Sequence, residues 1–422
     1  MVGAKGGMMR WEFPNEEDRV ETSAREAIVR KIDAWWAAFA GRLGDLQALF
    51  DGRKTWDLPA WMEKHLQGIN ESLMWEFGAA VEHKGHRLVI TPESKRALRP
   101  LTRAILRRAP RLAGWEFYSH RVAEDIAGTT ATVKGRVGIE LEGMRVAVSI
   151  GASRRIDLLF ESPACVAPNE GPAHHAAFVA AETLLGEEIL DGWIGAIDVQ
   201  PIRRVGAIGK LLGRGKSETR FVALERLKPT VDALIGSMME QLPDRGHFAQ
   251  TPVKSGSDDD QRRWSAFELK PVKAADYAGW DDLMVAISPC PEIWSAAHSD
   301  PGFYSKRFSR LGERFCYLKI DGSQAEGMTF GDRSEIEDAL NAALIPEGAG
   351  CSIGGGTGLR YSYVELALMD PVNSLGTIRR VLQGGKAPRR SWVLFHDCEW
   401  AEEWVGIWPQ TPAPAAENGE RK

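Results

Sequence analysis

The segments FCYLKI (residues 315–320), SEIEDALNAAL (334–344), GCS (350–352), YSYVELALM (361–369), SLGTIRRVL (374–382) and WVLF (392–395) succeed one another between Arg314 and Cys398. They read strand, helix, strand, strand, helix, strand, with a glycine cluster, Gly354-Gly355-Gly356-Thr357-Gly358, beside the middle hairpin. That order predicts a split βαβ, or ferredoxin-like, sandwich. Many unrelated functions use this architecture, so function has to be argued from individual sites.

Upstream of it, Trp264 to Leu269 and Leu283 to Ile287 read as strands that open a C-terminal domain over 264–409. Residues 243–263 lack apolar periodicity and contain Asp258-Asp259-Asp260, which predicts a linker. Residues 21–242 form an N-terminal domain in this reading. It has helices over Glu21 to Phe50, broken near Gly41 or Gly44, and from Asp57; strands at Leu73 to Phe77 and Arg87 to Thr91; and a helix to Arg108. A β pattern follows over Thr129 to Glu161, with strands near Arg136 to Glu140, Arg145 to Ile150 and Arg155 to Phe160, then a helix over Ala173 to Leu190 and a strand over Trp193 to Val199. The fold class is therefore α+β, with two domains, each a mostly antiparallel sheet with helices on one face. Residues 1–20 are expected to be frayed and 410–422 disordered.

A chain of 422 residues exceeds one ordinary hydrophobic core, in keeping with two domains. Its 44% hydrophobic and 26% charged content is that of a globular protein, and the net charge of -5 gives no general attraction to nucleic acid. Cysteines 165, 290, 316, 351 and 398 show no paired spacing, which predicts a reducing, cytoplasmic setting rather than a disulfide framework or zinc ribbon. Neither a signal peptide nor a membrane span is read from the chain.

Five places invite a chemical reading. Gly215-Lys216-Ser217 copies the end of a P-loop, but position 210 is Lys210, so the register fails and a basic surface loop over Gly206 to Ser217 is expected. The run Gly354, Gly355, Gly356, Thr357, Gly358 could expose amides to an anion or partner, with Arg360 as the adjacent charge; a bulged hairpin is the plainer reading. His396 and Cys398 share one face of the last strand and offer a thiol with a base, whereas Asp397 points away. His83, His86, His174 and His175 lack metal-ligand spacing. Finally Arg96, Arg99, Arg103, Arg107, Arg108 and Arg111 make a basic stripe, expected to be a solvated face or to meet an acidic partner.

Two resemblances add to this. Trp75-Glu76-Phe77-Gly78, Gly85 to Glu93 and Gly114-Trp115-Glu116-Phe117-Tyr118 resemble bacterial families of unknown function. Gly356-Thr357-Gly358 leading to Tyr361 and Tyr363 is similar to the regulator B inhibitors of ribonuclease E activity. These likenesses imply a cytoplasmic bacterial protein that acts by binding, and no catalytic residue carries over from either.

The reading that results is a non-catalytic protein-binding or regulatory module, of an inhibitor or immunity type, with no cofactor and no metal. Its partner is another protein. The acidic, tryptophan-bearing end around Trp400, Trp404 and Trp408 is the candidate anchor. The alternative is a hydrolase-type enzyme using His396 and Cys398 near the Gly354 to Gly358 hairpin.

Overall fold

The computed structural model describes residues 9–166, 170–202, 220–249 and 264–416. The chain divides into two compact units, one of them discontinuous: Met1–Ser119 with Pro243–Lys422, and His120–Leu242. This division differs from the expected domains, because the segment up to Ser119 belongs with the C-terminal half. The described part of the expected linker also belongs there, since His247 is bonded to Glu313. The remainder, with the basic run Arg203 to Lys216 and the P-loop-like Gly206 to Ser217, lies outside the described residues.

The first unit opens with α1 (Arg19–Ala40) and α2 (Leu43–Phe50), which meet at the Gly41 break. Asp18 caps α1 by accepting from the amides of Val20 and Glu21. Strands β1 (Met74–Ala79), β2 (His86–Thr91) and β3 (Trp115–Tyr118) form a three-stranded sheet, with α3 (Arg99–Arg107) between β2 and β3. The helical repeat of α1 puts Ile32, Trp35, Trp36 and Phe39 on one stripe, which buries against Leu88 and Ile90 of β2 and Leu101 and Ile105 of α3.

The second unit contains α4 (Ile126–Val137), β4 (Arg145–Ile150), β5 (Ile156–Ser162), α5 (Gly171–Leu185), α6 (Glu187–Trp193), β6 (Ile194–Pro201), β7 (Val222–Ala223) and α7 (Leu227–Glu240). Its sheet order is β6-β5-β4-β7, and α5 and α7 supply the other half of its core. The expected strand Arg136 to Glu140 is corrected: α4 runs to Val137. Asp125 caps it by accepting from Gly128, and Gly138 ends it at φ 75°, so two caps outweigh a β-branched composition.

The first unit resumes with β8 (Ser265–Glu268), β9 (Leu283–Ser288), α8 (Pro291–Ser299), β10 (Arg314–Asp321), α9 (Arg333–Leu344), β11 (Gly350–Gly358), β12 (Tyr361–Leu368), α10 (Pro371–Gly384), β13 (Ser391–Phe395) and β14 (Trp404–Gly406). The α+β class stands as expected. The four anticipated strands lie in the order β13-β10-β12-β11 within a larger antiparallel sheet, β14-β13-β10-β12-β11-β9-β8.

Alternation along these strands sorts side chains onto two faces. Cys316, Leu318 and Ile320 of β10, with Val364, Leu366 and Leu368 of β12, meet α9 and α10 through Ile336, Leu340, Leu344, Leu375, Ile378 and Leu382. The opposite residues, Phe315, Tyr317, Tyr361, Tyr363 and Trp392, are covered by Tyr277, Phe303 and α8 with Ile293 and Trp294. Helices therefore cover both faces, not one. The expectation missed α8 because its nine residues follow a Pro-Cys-Pro stretch; Pro291 at its first turn was the available signal.

Candidate functional site

The covered second face of the sheet carries charge where a core would carry only apolar groups. Register places Tyr317 opposite Glu365, Lys319 opposite Tyr363 and Asp321 opposite Tyr361. Lys319, Asp321 and Glu365 are all buried, as are Asp282, His396 and Asp397. Ionisable groups are costly in such a place unless they answer one another, so their concentration marks this face as the candidate site.

At the hairpin end, Arg360 grips Asp321 with two nitrogens, Nε at 3.0 Å and Nη2 at 2.6 Å, and Arg390 Nε reaches the same carboxylate at 2.9 Å. Arg390 Nη2 continues to Asp276 at 2.6 Å and to the Tyr361 hydroxyl at 2.8 Å. Burial raises the Asp321 pKa, but the Arg360 guanidinium and the Ser323 donors outweigh it and hold the group below the usual range. Asp282 accepts from the Arg360 and Tyr361 amides at 2.8 and 2.9 Å and from the Tyr363 hydroxyl. Lys319 donates to the Tyr277 carbonyl and sits 4.2 Å from the Tyr361 ring centroid. Burial pushes its pKa down to about 8, against the pull of Asp282, Asp276 and Asp281. Arg360 is thus spent on internal bridges rather than held out for an anion.

The glycine run is not a loop. Gly354 to Gly358 form the second half of β11, between β12 and β9, with a bulge between Ser352 and Gly355. Gly354 takes φ 118°, and a Cβ there would stand 2.2 Å from the Ile287 carbonyl oxygen. At Gly355 it would stand 2.3 Å from the Tyr363 carbonyl oxygen. Glycine is required because neighbouring backbones crowd both sides; Thr357 alone in this run is exposed.

His396 and Cys398 do not form a nucleophile and base pair. His396 Nε2 lies 2.7 Å from Glu365 Oε2, and His298 Nε2 lies 3.5 Å from Glu365 Oε1. The two imidazoles and their carboxylate sit among Trp280, Trp294, Tyr317 and Phe303. Buried His396 Nδ1 has no hydrogen-bond partner among the described residues. His298 Nδ1 meets the Trp294 carbonyl at 2.8 Å, which fixes its tautomer as the Nδ1–H form. Burial holds its pKa down at about 4. Burial also pushes the Cys398 thiol up to about 11, despite Arg96 and a hydrogen bond from Tyr304. Such a thiol stays protonated and inert. Asp397 turns away, accepting from the Ser305 amide at 2.8 Å and from Arg314 at 3.2 Å.

A third grouping was invisible in the sequence. His247 Nδ1 meets Glu313 Oε2 at 2.9 Å, and the His247 amide donates to Glu313 Oε1 at 2.7 Å. Burial lowers the His247 pKa, but Cys290, the half-buried residue that precedes α8, and Glu313 outweigh it and lift it to about 9. Positions 247, 290 and 313 are too far apart in the chain for any spacing rule to join them.

The expected partner anchor is occupied by the chain itself. Arg10 lies 3.7 Å from the Trp404 ring centroid and donates to the Trp404 carbonyl at 3.0 Å. Glu403 accepts from the amides of Trp11, Glu12 and Phe13 at 2.7, 3.2 and 3.1 Å, and Phe13 stacks on Phe395. Trp400 is buried, and Trp404 and Trp408 are half-buried rather than exposed. Residues 10–13 are therefore docked, not frayed. On the tail side, Pro412 accepts from Trp392 Nε1 at 2.7 Å.

Much of the arginine stripe is likewise engaged. Arg99 is buried on Thr91 and the Ser119 carbonyl, Arg103 bridges Glu12 and Glu399 at 2.8 and 2.9 Å, and Arg108 meets Asp33 at 2.7 Å. His86 pairs with Gln47 at 2.9 Å. Among the described residues no group of three or more His, Cys, Asp or Glu is arranged to hold a metal ion, and no helix is long and apolar enough to cross a membrane.

No protein-family model, curated protein or solved structure matches the chain.

Proposed function

We propose that the protein is a cytoplasmic protein-binding or regulatory module, of the inhibitor or immunity type, that takes an extended segment of another protein at the free edge of β8. The observation that supports this is the condition of that edge. In the described residues β8 pairs with β9 alone, and Leu269 donates inward to the Met284 carbonyl. Strand alternation then turns the amides of Ala266 and Glu268 outward.

Beside the edge stand four exposed apolar side chains. Val272 is 56% accessible, Leu359 48%, Val285 42% and Met284 36%. They share one end of the β8–β9 hairpin, since Val272 bonds Asp281, Leu359 bonds Asp282 and Val285 pairs with Glu268. An unpaired edge with adjacent exposed apolar side chains suits strand addition, in which backbone bonds give affinity and side chains give choice. The likeness to inhibitors of ribonuclease E activity favours the same class.

The hydrolase alternative loses support, because the Cys398 thiol is held protonated and His396 faces Glu365 instead.

The test places a photo-crosslinking residue at Ala266 in the full-length chain and maps the adduct captured from bacterial lysate. One protein joined through β8, and lost in the Glu268→Pro variant that removes an outward donor, supports the reading. Adducts that are absent, or unchanged by Glu268→Pro, overturn it.

A further inference from the structure

We propose that two copies of this chain cover each other's β8 edge, pairing antiparallel about Leu269, so that the resting protein is a dimer and a foreign strand enters by displacing the second copy. The inference rests on the reading above in one respect, that the β8 edge accepts a strand, and adds what occupies that edge first.

The backbone limits how this edge can meet itself. Leu269 donates inward to the Met284 carbonyl, so by alternation Phe267 and Ser265, which pair with Ala286 and Ser288, bond inward as well. Ala266, Glu268 and Lys270 turn their amides and carbonyls outward. Beyond Lys270 the edge stops, because Pro271 has no amide hydrogen and Val272 donates its own to Asp281.

An antiparallel self-pairing must set the outward residues opposite one another, which leaves few registers. Centred on Phe267, it puts Glu268 against Ala266 and Lys270 against Trp264, and no charge is answered. Centred on Glu268, it uses all three outward residues but sets that carboxylate against its own copy; centred on Lys270, it does the same to two ammonium groups. Centred on Leu269, it brings Glu268 of each copy opposite Lys270 of the other, twice by symmetry, and each such pair exchanges two N–H···O bonds. Opposite charges directly across an antiparallel pair are favourable and like charges are not, so the charges select this last register.

A charged side chain on an edge ordinarily keeps other strands away. Glu268 and Lys270 are both exposed, share one face of the strand, and have no side-chain hydrogen bond or ion pair among the described residues. Their order makes the edge complementary to itself. The same register lays the exposed Val272 against Ala266 of the second copy, and Val285, which pairs with Glu268, lies beside the new ion pair.

The opposite edge of this sheet explains why pairing ends at two. There β14 is three residues long, and Arg10 takes the Trp404 carbonyl at 3.0 Å. A seven-stranded sheet with one usable edge closes as a two-fold dimer instead of growing into a filament.

Purified full-length protein is followed by sedimentation velocity over a concentration series at low ionic strength. The expected species is a dimer in equilibrium with monomer. Glu268→Lys and Lys270→Glu are each expected to weaken it at least ten-fold, since symmetry counts either substitution twice, with the circular dichroism spectrum unchanged. An equimolar mixture of the two variants, one of them labelled with heavy nitrogen, is expected to recover the wild-type affinity and to give mixed dimers in native mass spectrometry, because every facing pair then joins Lys to Glu. A wild-type chain that stays monomeric, a dimer indifferent to Lys270→Glu, or a mixture no tighter than the separate variants overturns the proposal. Crosslinking at Ala266 reads the partner separately: a dimer that captures no foreign protein sinks only the partner reading, and a monomer that captures one sinks only this proposal.

Discussion

His396 Nε2 and Glu365 Oε2 meet at 2.7 Å inside an aromatic box, and the second oxygen of the same carboxylate faces His298 at 3.5 Å. One buried carboxylate thus answers two imidazoles carried by different elements. This arrangement ties the end of β13 to β12 through a buried polar pair, with the neutral His298 of α8 beside it.

Removing one member of that pair leaves the other charged and buried. His396→Leu is expected to cost about 3–5 kcal/mol, whereas His396→Leu with Glu365→Leu recovers most of the loss. Urea denaturation of the two variants checks this. A double variant as unstable as the single one contradicts the pairing.

Two histidines give stability a maximum near neutrality. His298 is neutral when folded, with its pKa pushed down to about 4 by burial and by His396, against Glu365. The unfolded chain takes up that proton near 6.5, so stability is full above 6.5 and declines as pH falls toward about 4. His247 has the opposite sign: lifted to about 9, it contributes fully below 6.5 and its contribution is lost as pH rises through about 9. Each limb is worth up to about 3 kcal/mol. Urea midpoints between pH 4.5 and 9.5 should trace this dome, and His298→Asn should flatten its acid side.

Gly354→Ala and Gly355→Ala each drive a methyl group into a carbonyl oxygen, at 2.2 and 2.3 Å respectively. A loss of about 2–4 kcal/mol is expected for either. Gly376 in α10 meets nothing within 4 Å, so Gly376→Ala should stabilise by about 0.5–1 kcal/mol. Thermal melts of the three variants give the comparison.

Glu403→Ala removes the shared acceptor of the Trp11, Glu12 and Phe13 amides. Hydrogen exchange at those three amides is expected to accelerate at least ten-fold, with α9 and α10 unaffected. Equal protection in the variant would place the hold on this segment in Phe13 and Arg10 instead.

The strand and helix order from Arg314 to Cys398 was legible because each element carries its own period, as did α1 and its break at Gly41. Chain pairing at a distance was not. The union of residues 9–119 with the C-terminal half rests on contacts such as Arg103 with Glu399 and Glu403 with Trp11, for which no local pattern exists. At the site, Gly354 to Gly358 were noticed for the right property, freedom from a Cβ, and β11 with β12 is the bulged hairpin that was read; that β9 also flanks the run was not legible, because nothing in the run itself names its second neighbour. Lys319 and Glu365 were the missed signals. A charge in the middle of FCYLKI or YSYVELALM has to be answered from outside its own strand, and the answer here came from Tyr277, His298 and His396.

Because Arg10 to Phe13 are stapled to a strand that ends at Gly406, the discontinuous unit cannot finish until the chain through Gly406 has left the ribosome. The segment from His120 to Leu242, with its own core, is released long before that. During synthesis Arg10 to Phe13 must therefore wait for the last strand to arrive. Ending the chain at residue 402 removes Glu403 and β14 together and leaves Arg10 to Phe13 without their seat.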